Sequence, residues 1–304
     1  MNRRPRAWLL IVLIATICAG AVWGVAWYRS RTLTTAALLK RLPGSGALVA
    51  YVNFAALRRA GILNRIENSK IGEDPEYQDF VRKTDFDYKQ DLDTALVAFG
   101  PYGKFLLLRG QFDWKNLRAY VQSENGSCYK SLCRMQGSTQ ERRISFFPLQ
   151  TNLMALAVSA DDSAALRMQE TAPGPAPEAP VAPIWVSIPA ALLRPADLPE
   201  GARPFARSIG NAESVLLSLV PEGPRLAVKL NARCRTPQDA AGLALELSQT
   251  TDLLRQTLAR QHQPADPAGL SGMLTAGTFH SDGARVFGYW PIEPAFLDNI
   301  LSGS

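Results

Sequence analysis

Residues 8 to 28, WLLIVLIATICAGAVWGVAWY, form an unbroken apolar run between Arg3, Arg4 and Arg6 on one side and Arg29 and Arg31 on the other. A helix of that length spans about 31 Å, matching a bilayer hydrocarbon core of about 30 Å. Trp8 at one end and Trp27 and Tyr28 at the other stand where amphipathic rings favour the headgroup level. The run predicts one membrane-spanning helix over 8–28 within a tip and anchor of residues 1–31, and it confines all that follows to one side of a bilayer. Cleaved secretory peptides have a shorter apolar core, of about 7–15 residues, before a small-residue site. Here Ala19-Gly20-Ala21 is followed by further apolar chain to Tyr28, so a retained signal-anchor is expected. Ile17 before Cys18 argues against a lipoprotein, and Pro5-Arg6 after Arg3-Arg4 argues against a twin-arginine signal.

Charge gives the orientation. The short N-terminal tip carries three arginines and no acid, which keeps it cytoplasmic under the positive-inside rule. The large region is then expected outside the cytoplasm, which in a bacterial cell means an inner-membrane anchor and a periplasmic domain. The formal net charge of +6 belongs to the anchor flanks. With the five arginines of the first 31 residues set aside, 28 basic residues face 27 acidic ones. A basic balance reads as a nucleic-acid footprint only when the domain itself carries it, so no nucleic-acid partner is expected.

Three cysteines lie beyond the anchor: Cys128, Cys133 and Cys234. Cys128 and Cys133 follow the turn-forming run Asn125-Gly126-Ser127, and in an oxidising compartment such a short loop is a candidate disulfide worth about 2 kcal/mol. Zinc would need further ligands, and His262 and His280 are not spaced with the cysteines; no metal or cofactor is expected.

Between Glu170 and Pro183 the composition shifts to ETAPGPAPEAPVAP, an extended linker. Taken as 171–183, it divides the outer region into units 32–170 and 184–304, each of a size for one core. The units repeat each other weakly. Ala55, Ala56, Leu57, Arg59 and Leu63 match Ala190, Ala191, Leu192, Arg194 and Leu198; Leu96, Pro101, Gly103 and Leu106 match Leu216, Pro221, Gly223 and Leu226. The second set sits in apolar runs around a Pro-x-Gly, which reads as a β-hairpin. Each hairpin leads into a helix, the first capped by Asp113, the second by Thr236 with Pro237 at its first position and Asp239 at its third. Second hairpins, 144–158 and 273–290, and a short terminal helix close each unit. The expected fold class is therefore α+β: an anchor followed by two tandem, weakly duplicated antiparallel-sheet units of the ferredoxin-like β-α-β-β-α-β type.

The stretch from Phe80 to Val97, FVRKTDFDYKQDLDTALV, and the later GQFDWKNLRAYV resemble segments of membrane-anchored bacterial proteins of unknown function. In that group a polar helix precedes an FD…DLD turn entering a central strand. The resemblance implies an outer α+β region and brings no assigned activity.

Candidate chemistry reduces to ordinary structure at each point. Asp85, Asp87, Asp91 and Asp93 lack the glycine and terminal glutamate of a calcium loop and read as a solvated turn. His280, Ser281 and Asp282 are adjacent, whereas triad members come from separate loops. His262 sits at a helix end, Asp161 and Asp162 in a first helical turn, and Gly100-Pro101-Tyr102-Gly103 is too short to cradle a phosphate. Tyr289 and Trp290, near the C-terminus, are the candidate binding surface. The expectation is a non-catalytic protein-interaction module of the cell envelope with a protein partner. Two alternatives stand beside it: a binder of an apolar or peptide ligand between the units, and a hydrolase using carboxylates brought together by the fold.

Overall fold

The computed structural model describes residues 33–44, 46–63, 75–137, 139, 141–174, 177–189, 192, 202–223 and 225–302. The predicted span 8–28 lies outside them. Among the described residues no helix is long and apolar enough to cross a membrane.

Among the described residues, twelve strands make one sheet. In chain order they are β1 (Leu48–Asn53), β2 (Leu92–Gly100), β3 (Gly103–Gly110), β4 (Ser127–Tyr129), β5 (Leu132–Gln136), β6 (Arg143–Gln150) and β7 (Leu153–Ser159). The rest are β8 (Ile184–Pro189), β9 (Ser214–Glu222), β10 (Arg225–Arg233), β11 (Thr278–Asp282) and β12 (Arg285–Ile292). The helices are α1 (Thr35–Leu39), α2 (Phe54–Arg59), α3 (Pro75–Thr84), α4 (Tyr88–Asp91), α5 (Trp114–Ser123), α6 (Arg203–Ile209), α7 (Pro237–Arg260), α8 (Leu270–Thr275) and α9 (Pro294–Ser302), with a 3-10 helix at Ala164–Gln169. The strand order is β11-β12-β10-β9-β8-β1-β2-β3-β7-β6-β5-β4, and every pairing is antiparallel. The fold is thus α+β with a large antiparallel sheet.

Three features differ from the sequence expectation. A ferredoxin-like unit would place the third strand between the first two. Here β2 lies directly beside β1, with Asn53 opposite Thr94, so the helical connection returns to the end of the sheet it left and no crossover forms. The two Pro-x-Gly segments also do not coincide. Gly100 pairs with Gly103 across Pro101-Tyr102, whereas Pro221 is inside β9 opposite Leu226 and the second hairpin closes after Glu222. Finally, the apolar residues from Met273 open with helix α8 rather than a strand.

The two expected units meet as neighbours in the sheet. β1 pairs with β8, Tyr51 lies opposite Trp185, and their rings stack at 5.4 Å. Read outward from this seam, the order is β1-β2-β3-β7-β6 one way and β8-β9-β10-β12-β11 the other. Because side chains alternate along a strand, pairing register assigns each residue to a face. One face carries Tyr51, Leu96, Leu107, Ala155, Phe147 and Trp185, buried beneath α1 and the 3-10 helix. The other face holds two cores. Phe146 and Met154 pack with Leu117 and Val121 of α5, while Val215, Leu230 and Trp290 pack under α6 and α7.

Caps fix the helix starts. Asp113 accepts hydrogen bonds from the backbone N–H of Lys115 and Asn116 at 2.9 and 3.0 Å. Thr236 and Asp239 form a reciprocal capping box at 3.1 and 3.2 Å, with Pro237 in the first turn. Such caps contribute about 1 kcal/mol each.

Candidate functional site

The acidic cluster resolves into local structure. Asp87 caps α4 through the Lys89 N–H and accepts a hydrogen bond from the Tyr77 hydroxyl at 2.7 Å. Asp91 accepts the Asp87 N–H at 2.7 Å, and Asp93 pairs with Arg58 at 3.2 Å. Burial, then the bond to Asp87, pushes the Tyr77 hydroxyl well above the usual tyrosine range. Three of the four carboxylates are committed to caps and a salt bridge, and among the described residues no group of three or more His, Cys, Asp or Glu could hold a metal ion.

The histidines stand apart. His280 stacks on Phe287 at 5.4 Å on edge strand β11, and His262 follows the end of α7 with φ 53°. Cys128 and Cys133 are joined by a disulfide across the β4–β5 pair, opposite each other in register. The sequence showed the turn there but not the strands that β4 and β5 add outside β6. Cys234 is a buried free thiol, which burial pushes above the ordinary range.

The candidate surface Tyr289–Trp290 does not hold together. Adjacent strand residues point to opposite faces, so Trp290 is buried against Phe205 and Phe279 while Tyr289 lies on the opposite face. The Tyr289 hydroxyl donates to Glu222 at 2.9 Å, and Lys229 pairs with the same carboxylate at 2.8 Å. Those two bonds, from Lys229 first, hold Glu222 below the usual carboxylate range.

A different place gathers exposed aromatic and charged groups. The β2–β3 turn and the segments beside it enclose an open cavity of about 580 Å³ lined by Phe99, Tyr102, Lys104, Arg142, Asp161 and Arg167, among others. Tyr102 is 75% exposed and Phe99 41%, which is uncommon for rings of this size in a folded chain. The turn that presents them is fixed. The Ser159 hydroxyl donates to the Tyr102 carbonyl at 2.8 Å. Gly103 has φ +137°, and a Cβ there would stand 2.5 Å from the Val158 carbonyl oxygen. Lys104 lies over the Phe99 ring at 5.9 Å, and Arg167 pairs with Asp161 at 3.2 Å. Hydrogen bonds from Ser163, with the Arg167 charge behind them, depress the Asp161 pKa, so this carboxylate stays an ionised acceptor and is unsuited to general-acid work. One signal was legible in the sequence, an aromatic inside a Gly-Pro-x-Gly turn, but Arg142 and Arg167 reach the cavity only because β7 lies beside β3 and β6 beside β7.

The fold and this site define an α+β protein built on a single antiparallel sheet, with an aromatic and charged surface at one strand end. No known protein family matches the chain, and no curated protein matches it. Among solved structures it is similar to TP0453. Crystal form I of that protein is 13% identical over 90% of this chain and 99% of that one, with a TM-score of 0.52; crystal form III is 12% identical over 88% and 98%, with a TM-score of 0.48. At such identity the likeness to form I shows the fold alone.

Proposed function

We propose that the chain is a single-span envelope protein whose outer domain binds a protein partner without catalysis, through the cavity at the β2–β3 turn. The observation that carries the reading is the pair of exposed rings, Phe99 and Tyr102, beside Lys104, Arg142 and Arg167. Interface energy concentrates in aromatic and Arg anchors of this kind. The apolar run 8–28 supports the anchor, and its charge flanks support a periplasmic location for the domain. The matching strand order either side of the β1–β8 seam supports an ancestral duplication, in which the two halves have since drifted out of residue register.

A ligand between the halves finds little support, since they meet as hydrogen-bonded strands and each cavity described draws on one half. The test is a complementation series in the native host. Tyr102→Ala combined with Arg142→Ala is expected to reproduce loss of the gene at normal protein level. Single Asp→Asn or Glu→Gln changes at Asp85, Asp87, Asp91, Asp161, Asp162, Asp282 and Glu293 are expected to be tolerated. An isosteric acid change with the null phenotype would instead argue for carboxylate catalysis.

A further inference from the structure

Residues 177–183, PEAPVAP, place proline at every third position: Pro177, Pro180 and Pro183. Three residues per turn is the period of the polyproline II helix, the form in which Pro-rich segments enter aromatic-lined grooves. The segment forms no helix or strand, and from Glu178 onward its exposure follows that period. Ala179, Pro180, Ala182 and Pro183 are half-buried, whereas Glu178 and Val181, three apart, are exposed. Val181 is 103% exposed, as open as in an isolated extended peptide. A Glu178–Val181 ridge therefore projects from the body.

The ridge is held away from the cavity of its own copy. The Asn53 N–H donates to the Pro183 carbonyl at 2.7 Å, and Ala182 packs onto the core that holds Tyr51 and Trp185. Phe99 lies beside Leu48 at the other end of β1, five residue steps or about 17 Å from Asn53. Phe99 and Lys104 also point to the opposite face, since their neighbours Ala98 and Phe105 belong to that same core. Val181 is two residues from Pro183, at most about 7 Å of chain, and cannot reach them. Ridge and cavity can meet only between copies.

Their chemistry is complementary. The cavity lining carries three cations, Lys104, Arg142 and Arg167, against two acids, Glu141 and Asp161. Asp161 is paired with Arg167, and Arg142 has no ion-pair partner among the described residues. The excess of one positive charge faces a segment whose single charged residue is Glu178. Three residues of polyproline II advance about 9 Å, comparable with the breadth of a cavity of about 580 Å³.

We infer that the cavity of one copy takes the Glu178–Val181 ridge of a second copy, with Arg142 donating to the Glu178 carboxylate and Val181 seated against Phe99 and Tyr102. Cavity and ridge are different surfaces, so the contact is heterologous and each added copy leaves one of each open. The inference rests on the cavity reading proposed above and names a second copy of the chain as the protein partner.

The test uses the full chain purified in detergent micelles, with protein mass read by light scattering against concentration. The wild type is expected to grow beyond the monomer as concentration rises. Tyr102→Ala with Arg142→Ala removes the cavity and keeps the ridge; Glu178→Lys with Val181→Asp removes the ridge and keeps the cavity. Each double variant alone is expected to lose that growth. Their equimolar mixture is expected to stop at the dimer, because one intact contact remains per pair, and a dimer there shows both variants folded. Benzoylphenylalanine placed at Val181 is expected to crosslink on illumination to segment 99–104 of another copy. A wild type that never grows, growth that persists in either double variant, a mixture that stays monomeric or a crosslink elsewhere overturns the inference. Complementation keeps the two readings apart. A ridge variant with wild-type activity beside a cavity variant with the null phenotype overturns the second copy as partner and leaves the cavity reading standing. A cavity variant without phenotype overturns the cavity reading, and the inference with it.

Discussion

The two halves of the sheet share a strand order and differ in how they use it. From β1 to β7 the sheet is buried on both faces, beneath α1 and the 3-10 helix on one side and α5 on the other. From β8 to β12 it is buried mainly on one face, under α6 and the 24-residue α7. The opposite face there carries Ser218, Lys229, Tyr289 and His280. The outer edges differ too. β6 is covered by the disulfide-closed β4–β5 hairpin, while the matching strand β11 is itself the edge, kept polar by His280, Ser281 and Asp282. One topology thus supports a double-sided and a single-sided core, the difference being set by which loops fold back over the sheet.

The largest expected effect lies where the halves join. Trp185 is 2% exposed and stacks on Tyr51, so Trp185→Ala is expected to cost about 3–5 kcal/mol in denaturant unfolding. Its indole N–H has no partner among the described residues, so Trp185→Phe is expected to cost less than about 1.5 kcal/mol. A small loss with alanine would mean that the halves are stabilised separately.

Opening the β4–β5 staple comes next. Cys128→Ser with Cys133→Ser is expected to lower stability by about 2 kcal/mol through loop entropy, and reduction of the native protein should do the same. A reductant-insensitive midpoint would show that this edge contributes nothing.

Alkali should loosen the Tyr77 contact. Tyr77, in the first half, holds its proton in the fold well above the pH at which a free tyrosine loses it. Above about pH 10 the unfolded chain binds fewer protons there than the fold does, so stability present below that pH is lost as pH rises. Tyr77→Phe is expected to remove that component of the pH dependence, read as a shallower loss of stability above about pH 10. An unchanged alkaline loss in Tyr77→Phe would contradict it.

The smallest effect is expected on the uncovered face of the second half. Tyr289→Phe removes an exposed hydrogen bond to Glu222 and should shift stability by less than about 0.5 kcal/mol. A loss above 2 kcal/mol would mean that this face is covered.

What the sequence disclosed was local. Asp113 and Thr236 marked helix starts because a cap is a matter of three or four consecutive residues. The apolar runs that form β2 and β3, and β6 and β7, each broken by a turn, marked hairpins for the same reason. Strand order was hidden, because nothing in the apolar run 48–53 says that its other neighbour is β8, more than 130 residues away. Face assignment was hidden with it. Gly288-Tyr289-Trp290-Pro291 read as one aromatic surface until pairing with β10 put Trp290 inside and Tyr289 outside. The cavity was illegible for a related reason: Tyr102, Arg142 and Arg167 converge only once β3, β7 and β6 are laid side by side.

The central structural claim is that the β1–β8 seam makes both halves one body, and native-state hydrogen exchange tests it most directly. If the seam is the middle of one cooperative sheet, the amides of β1 and β8 exchange as slowly as those of β2 and β9, through global unfolding. Exchange of β1 and β8 well ahead of β3 and β10, with each half retaining its own protection, would show two units that merely touch, and would contradict the account.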